Sequence, residues 1–361
     1  MNSVRSIHQL VVSAKPGDAV FNHAQLLRTW LREWGYASEI YAEGLSEDLP
    51  RGEAQPWSRV QAEKARDSLL IFHYSTGSPL TADVRKMTMP VILMYHNVTP
   101  SEYFRGVHQQ LYEQTLRGRE ELPDLRDVAL ALANSDYSEE ELCRAGFGHT
   151  GVLPLPIDEE RYAIQADESV MRSYADDRTN ILFVGRVAPN KRHEDLLRAF
   201  YYYKRLDPGS RLLLVGNWQL CERYKAWLDS CANARGLADV HFCGHVSTAE
   251  LVAYYRVASL FLCMSEHEGL CVPLLESMHF GVPVLAYAST AIPSTLGEAG
   301  VQIHRKDFPV VAETMHVLVR DDLLRARVIA RQRQRLQAFR PETVKPAFRS
   351  YLDSVLATSL R

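Results

Sequence analysis

The sequence predicts an α/β fold built from two Rossmann-like domains, and three observations indicate it. Short, continuously apolar runs such as 68–74 and 181–185 alternate with longer amphipathic segments along most of the 361 residues. Such runs are typical of parallel strands that are buried on both faces. The alternation restarts near residue 181, after a polar and charged segment. The chain is also too long for one ordinary hydrophobic core.

The predicted strands are short and end near Gly, His, Ser or Asn residues. They cover residues 7–14, 68–74, 90–96, 181–185, 211–216, 259–264 and 283–287. The clearest helices, at 21–35 and 193–206, carry apolar residues at three- and four-residue steps. This alternation of strands and helices favours doubly wound sheets.

The predicted domain boundary lies near 158–178. We expect an N-terminal domain over 1–160 and a C-terminal domain over 161–340, with the final amphipathic helix, 341–361, packing back on the first domain. Ligands of open parallel sheets bind beyond the carboxyl ends of the strands. Two such sheets that face each other would hold a ligand in the cleft between them, so the residues that directly follow strands are the candidates for function.

Composition narrows the function classes. The net charge of −3 gives no electrostatic case for nucleic acid. The six cysteines form no CxxC pair, which favours buried free thiols in a reducing compartment over a metal site. The sequence contains no signal peptide pattern and no apolar run long enough to span a bilayer. We therefore expect a cytoplasmic protein.

Two cations follow the strand that ends at Gly185. Arg186 and Lys191 lie in the loop between this strand and the next helix. Cations at a strand exit suit an anionic ligand, especially a phosphate or diphosphate. The alternative is ordinary surface charge, since charged residues mostly lie on solvated surfaces.

Two carboxylates, Glu268 and Glu276, flank the start of another helix, after the strand 259–264. Pro273 suits the first turn of that helix, and the unpaired N–H groups before it are expected to bind an anion. The two acids would then accept hydrogen bonds from hydroxyls on either side of a diphosphate. The alternative is that both are acids near a helix start, favoured there by the helix dipole.

Segments 183–200 and 265–287 together resemble the retaining glycosyltransferases of the GT-B fold, family 4, also called glycosyl transferases group 1. The signature of that family is two glutamates separated by seven residues and preceded by a GR…K loop. The matching positions here are Arg186, Lys191, Glu268 and Glu276. The resemblance covers most of residues 130–300, whereas the N-terminal half matches only in outline.

The resemblance implies a role for each matched residue. Arg186 and Lys191 would hold the donor diphosphate, Glu276 the ribose hydroxyls, and Glu268 hydroxyls of the donor sugar. Backbone contacts to the donor are expected at Gly185, Val246, Gly269, Leu270, Cys271 and Val272. Two positions depart from the family pattern: Cys271 stands where glycine is frequent, and Ser294 where an acid is usual.

The N-terminal half adds fewer candidates. His96 follows the strand 90–96, and the resemblance gives such a histidine a place beside the donor sugar, where it would bind a hydroxyl or aid proton movement. His73 is the weaker candidate, because a lone histidine is more often structural. Gly17 lies in a loop before the first helix and would face donor or acceptor; the alternative for this loop is plain N-capping by Asp18.

The activity implied by the resemblance is transfer of a hexose, with retention, from a nucleoside-diphosphate sugar to a hydroxyl of a glycan or lipid-linked glycan. GDP-mannose is the favoured donor, with a UDP-hexose or UDP-N-acetylhexosamine as the alternatives, and surface polysaccharide biosynthesis is the expected setting. The sequence has no DxD motif at a strand end, so we expect neither a metal nor another cofactor. Two alternatives stay open: a sugar-nucleotide epimerase or hydrolase, and a non-catalytic module that binds nucleotide or glycan.

Peripheral contact with the inner face of the membrane is a further expectation. It would need a basic or aromatic patch, and the segment 27–36 offers Arg28, Arg32, Trp30 and Trp34. The alternative is a helix that packs on the core and has a solvated basic face.

Overall fold

The computed structural model describes residues 4–59 and 67–359, which form two compact units. Unit 1 consists of the described residues within Met1–Glu102, Gln110–Leu155 and Glu342–Arg361. Unit 2 consists of Tyr103–Gln109 and Pro156–Pro341. The units therefore divide between Leu155 and Pro156. The sequence predicts this boundary a few residues later, at residues 160–161.

Unit 1 contains a sheet of seven parallel strands in the order β3-β2-β1-β4-β5-β6-β7. The strands are β1 Ser6–Ala14, β2 Ile40–Leu45, β3 Gln55–Pro56, β4 Ser68–Tyr74, β5 Val91–Tyr95, β6 Leu130–Ala133 and β7 Thr150–Val152. The helices between them are α1 Ala19–Glu33, α2 Leu80–Val84, α3 Gln109–Glu121 and α4 Asp136–Arg144.

Unit 2 contains six parallel strands in the order β10-β9-β8-β11-β12-β13. They are β8 Asn180–Val184, β9 Arg211–Val215, β10 Val240–Gly244, β11 Leu260–Cys263, β12 Val284–Tyr287 and β13 Val301–Ile303. The helices are α5 Glu159–Tyr162, α6 Glu168–Tyr174, α7 His193–Leu206, α8 Glu222–Ala234, α9 Thr248–Val257, α10 Val272–His279, α11 Ile292–Leu296, α12 Phe308–Arg320 and α13 Asp322–Leu336.

Both sheets have the doubly wound topology that the sequence predicts. In each, the first strand of the unit lies inside the sheet, and the chain first winds to one side and then to the other. The direction changes between β1 and β4 in unit 1 and between β8 and β11 in unit 2. Such switch points leave a crevice at the carboxyl ends of the strands, which is where ligands of open α/β sheets bind.

The last helix, α14 Pro341–Ser359, lies almost entirely in unit 1. Four of its apolar side chains belong to the core beneath the seven-stranded sheet, together with residues of β1, β4, β5 and α1. They are Val344, Phe348, Leu352 and Val355, all at most 4% exposed. The amphipathic pattern at the end of the sequence thus completes the core of the N-terminal unit.

The segment 27–36 does not form the surface patch that membrane contact would need. Trp30 is 3% exposed and packs near Phe348, and Arg28 is buried and pairs with Glu53. Arg32 donates hydrogen bonds to the Ser38 carbonyl. The core-packing alternative is therefore the right one for this helix. In the part of the chain that the structure describes, no helix combines the length and apolarity that a bilayer crossing requires.

Candidate functional site

The exits of β8 and β9 approach each other closely. Gly185 and Gly216 have φ values of 156° and 155°, which favour glycine. A Cβ atom on Gly216 would lie 1.9 Å from the Gly185 carbonyl oxygen, so no other residue fits there. The sequence prediction included Gly185 but missed Gly216. The only indication for Gly216 in the sequence is its place at the end of the apolar run RLLLVG, residues 211–216.

The two predicted cations have different surroundings. Arg186 is exposed and makes no ion pair with the described residues. The Lys191 Nζ atom lies 2.5 Å from Glu268 Oε2, and Glu268 is only 6% exposed. Burial opposes the charge of Lys191, but the Glu268 carboxylate outweighs it and raises the pKa of Lys191. The loops after β8 and β11 are thus joined by a charged pair at the switch point of unit 2.

A second charged cluster, which the sequence reasoning missed, fixes the same two loops. Arg192, in the left-handed conformation with φ 53°, contacts Glu194, Asp195 and Glu266 at 3.0–3.3 Å. Lys306 lies 2.8 Å from Asp195 and 2.9 Å from Glu266. These carboxylates offset the cations at the start of α7, so that helix needs no bound anion for its charge balance.

The start of α10 presents free backbone donors. Among the described residues, no hydrogen bond uses the N–H groups of Leu270, Cys271 or Val272. The Leu270 carbonyl accepts a bond of 2.7 Å from Thr295 Oγ1, which holds this turn in place. Unpaired N–H groups at a helix start bind anions well, because the helix dipole adds to their attraction.

Cys271 adopts φ 68° at the N-cap of α10. This left-handed conformation favours glycine, which explains physically why glycine is frequent at the position. The free thiol is 7% exposed, and its hydrogen bond with the free Cys263 thiol lowers the pKa of Cys263 and raises the pKa of Cys271. Together with Glu268, these thiols form one of two groups within the described residues that have metal-ligand spacing. Lys191 already neutralises Glu268 there.

Glu276 lies 6% exposed on α10, and both of its carboxylate oxygens accept hydrogen bonds from tyrosines. Tyr162 donates to Oε1 at 2.5 Å and Tyr255 donates to Oε2 at 2.6 Å. Burial and the Glu276 charge raise the pKa of both phenols, so they remain protonated donors. Each carboxylate oxygen has a second lone pair for a ligand hydroxyl. Apart from their being aromatic, nothing in the sequence indicates that Tyr162 and Tyr255 are partners of Glu276.

The remaining predicted positions lie at other loops. Val246 is half-buried between β10 and α9, and Gly269 is half-buried between Glu268 and α10. Gly17 belongs to unit 1, where it makes a left-handed turn with φ 81° between β1 and α1. Asp18 accepts hydrogen bonds from the N–H groups of Val20 and Phe21, so it caps α1 as the alternative reading expected.

His96 directly follows β5 in unit 1 and is partly exposed. Its Nε2 atom lies 2.9 Å from Nδ1 of His73, the weaker candidate, which is fully buried. Of the residues proposed for one site in unit 2, the structure brings Lys191 and Glu268 into contact. Glu276 has separate partners, Tyr162 and Tyr255.

Comparison with known proteins identifies the domain. Residues 168–335 match the family model "Glycosyl transferases group 1". The chain carries a domain of the glycosyl transferases group 1 family. That span contains Arg186, Lys191, Glu268 and Glu276, the four residues that match the family signature.

Curated relatives are moderately similar to this chain. The O-antigen chain mannosyltransferase B of Escherichia coli is 28% identical over 259 residues, 66% of this chain and 60% of that protein. A GDP-mannose-dependent phosphatidylinositol monomannoside mannosyltransferase of Mycobacterium tuberculosis is 29% identical over 183 residues, 47% of this chain and 46% of that one. The chain thus spans about half the length of the curated relatives it matches.

Solved structures confirm the GT-B fold. Sucrose-phosphate synthase from Thermosynechococcus elongatus superposes with a TM-score of 0.76 at 17% identity, covering 98% of this chain and 100% of that one. Anabaena Alr3699/HepE, solved with UDP and glucose, gives a TM-score of 0.72 at 18% identity, covering 97% of this chain and 100% of that one. The prediction of two Rossmann-like domains with GT-B architecture is therefore correct.

Proposed function

We propose that the protein transfers a hexose, with retention, from a nucleoside-diphosphate sugar to a hydroxyl of a glycan or lipid-linked glycan. The observation that carries the proposal is the Lys191–Glu268 pair at 2.5 Å beside the unpaired N–H groups at the start of α10. A cation and free amide donors at one switch point suit a diphosphate. The exposed Arg186 adds a second, uncommitted cation to the same unit.

The proposed mechanism is front-side displacement, in which the acceptor hydroxyl attacks the anomeric carbon of the donor sugar from the same face that the diphosphate leaves. No carboxylate in unit 2 is assigned as a nucleophile, because Glu268 is paired with Lys191 and Glu276 with two tyrosines. The leaving phosphate would help to deprotonate the acceptor. Arg186, Lys191 and the amide groups would stabilise the negative charge that develops on the diphosphate.

The donor preference is supported by the relatives. The Escherichia coli protein is named a mannosyltransferase of the O-antigen chain, and the Mycobacterium tuberculosis protein is named GDP-mannose-dependent. We therefore propose GDP-mannose as donor and a surface polysaccharide intermediate as acceptor. All six cysteines are free, which suits a reducing cytoplasmic compartment. The inner face of the membrane is where a lipid-linked acceptor would be met.

Thermal-shift titration tests the donor site. We expect one nucleoside diphosphate among UDP, GDP, dTDP and CDP to stabilise the protein, by about 2.7 kcal/mol at 100 times its dissociation constant. Glu276→Ala should abolish that shift, while the exposed control Glu222→Ala keeps it. No shift with any of these nucleotides would favour a degenerate binding module. Product analysis without acceptor separates transfer from hydrolysis or epimerisation.

The proposed reaction needs no metal ion, because Arg186 and Lys191 take the part that a divalent cation has in other transferases. Turnover with the identified donor is expected to stay unchanged in excess EDTA. The measurement is the initial rate of nucleoside-diphosphate release before and after chelation. Loss of turnover that added Mn²⁺ restores would contradict this part of the proposal.

A further inference from the structure

Three polar side chains, Gln9, His73 and His96, form a hydrogen-bonded row in unit 1. Gln9 in β1 and His73 in β4 are both fully buried. The Gln9 Oε1 atom lies 2.8 Å from His73 Nε2, and His73 Nδ1 lies 2.9 Å from His96 Nε2. Buried polar atoms need partners. The donor and the acceptor of each hydrogen bond therefore follow in turn from Gln9 to His73 and then to His96.

The first hydrogen bond of the row is accepted by the backbone carbonyl of Ala24. Gln9 Nε2 donates to the Ala24 carbonyl oxygen at 2.7 Å, which fixes the orientation of the amide and turns Oε1 towards His73. Because a carbonyl oxygen only accepts, His73 must carry its proton on Nε2. Burial holds the pKa of His73 well below its ordinary value, so the ring is neutral. Its Nδ1 atom is then an acceptor.

The proton of His96 follows from that of His73. Since His73 Nδ1 accepts, His96 must donate from Nε2, and its own Nδ1 atom keeps a lone pair. Burial and the neighbouring His23 also lower the pKa of His96, which makes it a neutral ring. Within the described residues, no hydrogen bond uses His96 Nδ1.

The backbone of His96 is held as firmly as its ring. Its N–H group donates to the Tyr74 carbonyl at 2.8 Å, and its carbonyl accepts from Asn134 Nδ2 at 3.2 Å. The next residue, Asn97, adopts φ 70° and donates to Glu141 at 2.7 Å. Hydrogen bonds therefore hold His96 both at its backbone and at the Nε2 atom of its ring, while the side chain stays partly exposed.

We propose that Gln9 and His73 are positioning residues that lock His96 in the Nε2–H tautomer, so that His96 Nδ1 accepts a hydrogen bond from a substrate hydroxyl. The tautomer follows from the hydrogen bonds alone, whereas the identity of the hydroxyl, on a sugar, rests on the proposed function. A neutral acceptor repels phosphate oxygens. His96 therefore selects for a hydroxyl group and takes no part in holding the diphosphate.

The same histidines also have the spacing of a metal site. The candidate ligand atoms of His23, His73 and His96 lie within 4.8 Å of one another, and neither ring nitrogen of His23 has a partner within the described residues. However, two nitrogen ligands of a tetrahedral zinc ion would be about 3.3 Å apart. The observed 2.9 Å between His73 and His96 fits a hydrogen bond instead. His23 packs edge-on against both rings.

The direct test is ¹⁵N NMR of the full chain labelled at histidine, because ring nitrogens with and without a proton differ strongly in chemical shift. His96→Asn identifies the signals by their loss. We expect His96 to show a protonated Nε2 and an unprotonated Nδ1 across neutral pH. A proton on Nδ1, or exchange between both tautomers, would overturn the proposal. So would a shift of these signals on adding one equivalent of Zn²⁺.

Two substitutions of Gln9 link the tautomer to turnover. Gln9→Met removes the acceptor, and we expect mixed tautomers of His96 and a kcat/KM reduced about tenfold, the worth of one hydrogen bond. Gln9→Glu keeps an acceptor oxygen, because a buried glutamate protonates and its hydroxyl can still donate to Ala24. It should retain the wild-type tautomer and most of the turnover.

Affinity for the nucleoside diphosphate separates this proposal from the proposed function. It is expected to be the same in both Gln9 variants and the wild-type protein. An equal loss of turnover in Gln9→Met and Gln9→Glu, with the His96 tautomer unchanged in both, would reduce Gln9 to a structural residue. If no donor supports turnover at all, the proposed function fails, while the NMR measurement still decides the tautomer.

Discussion

Lys191→Met is expected to reduce turnover about 100-fold or more and also to destabilise the protein. The turnover loss follows because a preorganised cation that faces the departing diphosphate contributes several kcal/mol to barrier lowering. The stability loss follows because Glu268, at 6% exposure, would be left without its partner. Breaking a buried ion pair costs about 3–5 kcal/mol, and we expect the lower end since Lys191 is 22% exposed.

The double variant Lys191→Met/Glu268→Gln separates these two effects. Removing both charges is expected to restore most of the unfolding free energy, measured by urea denaturation, while turnover stays low. Recovery of turnover together with stability would mean that Lys191 acts only on the fold. Because the pKa of Lys191 is raised above its ordinary 10.5, the pair stabilises the protein at neutral pH. That contribution is lost only as pH rises through the raised value.

Arg186→Ala is expected to reduce turnover by a similar factor, about 100-fold, without destabilising the protein. Arg186 is exposed and has no ion pair among the described residues, so its removal leaves no buried charge behind. The measurements are initial rates with the donor found by titration and the unfolding midpoint in urea. The contrast with Lys191→Met is the distinctive result, because the two cations differ in burial.

The matched control for Arg186→Ala is Arg223→Ala, which removes another exposed arginine of unit 2, on α8. It is expected to change neither turnover nor stability by more than a small factor. Similar turnover losses in both variants would point to a general effect of net charge on donor affinity. Near-native turnover in Arg186→Ala would remove this residue from the diphosphate site.

Much of the fold was predictable because long apolar runs mark the central strands. The runs 68–74 and 211–216 match β4 and β9 closely. β10 and β13 were missed because their sequences, VHFCG and VQI, lack that continuous apolarity. β10 and β13 lie at the edges of the second sheet and are half-buried throughout, so their residues alternate in character and resemble loops.

The candidate site was predictable only where a charged residue directly follows a predicted strand or begins a predicted helix. Glu268 and Lys191 stand out because each follows a strand, but their contact at 2.5 Å joins positions 77 residues apart. Tyr162 lies 114 residues from Glu276, Tyr255 lies 21 residues from it, and Lys306 lies 111 residues from Asp195. Nothing local in the sequence distinguishes Tyr162 from the other tyrosines, so tertiary packing alone identifies it.

The place of α14 in unit 1 has a consequence for synthesis. Unit 2 is nearly continuous in sequence and ends at Pro341, whereas unit 1 takes its last helix from residues beyond it. While α14 is still inside the ribosome, Ile7, Leu27 and Trp30 lack the side chains that cover them in the finished core. The N-terminal unit therefore keeps exposed apolar surface until α14 emerges. A chaperone that binds such surface would meet this protein at its first domain rather than its second.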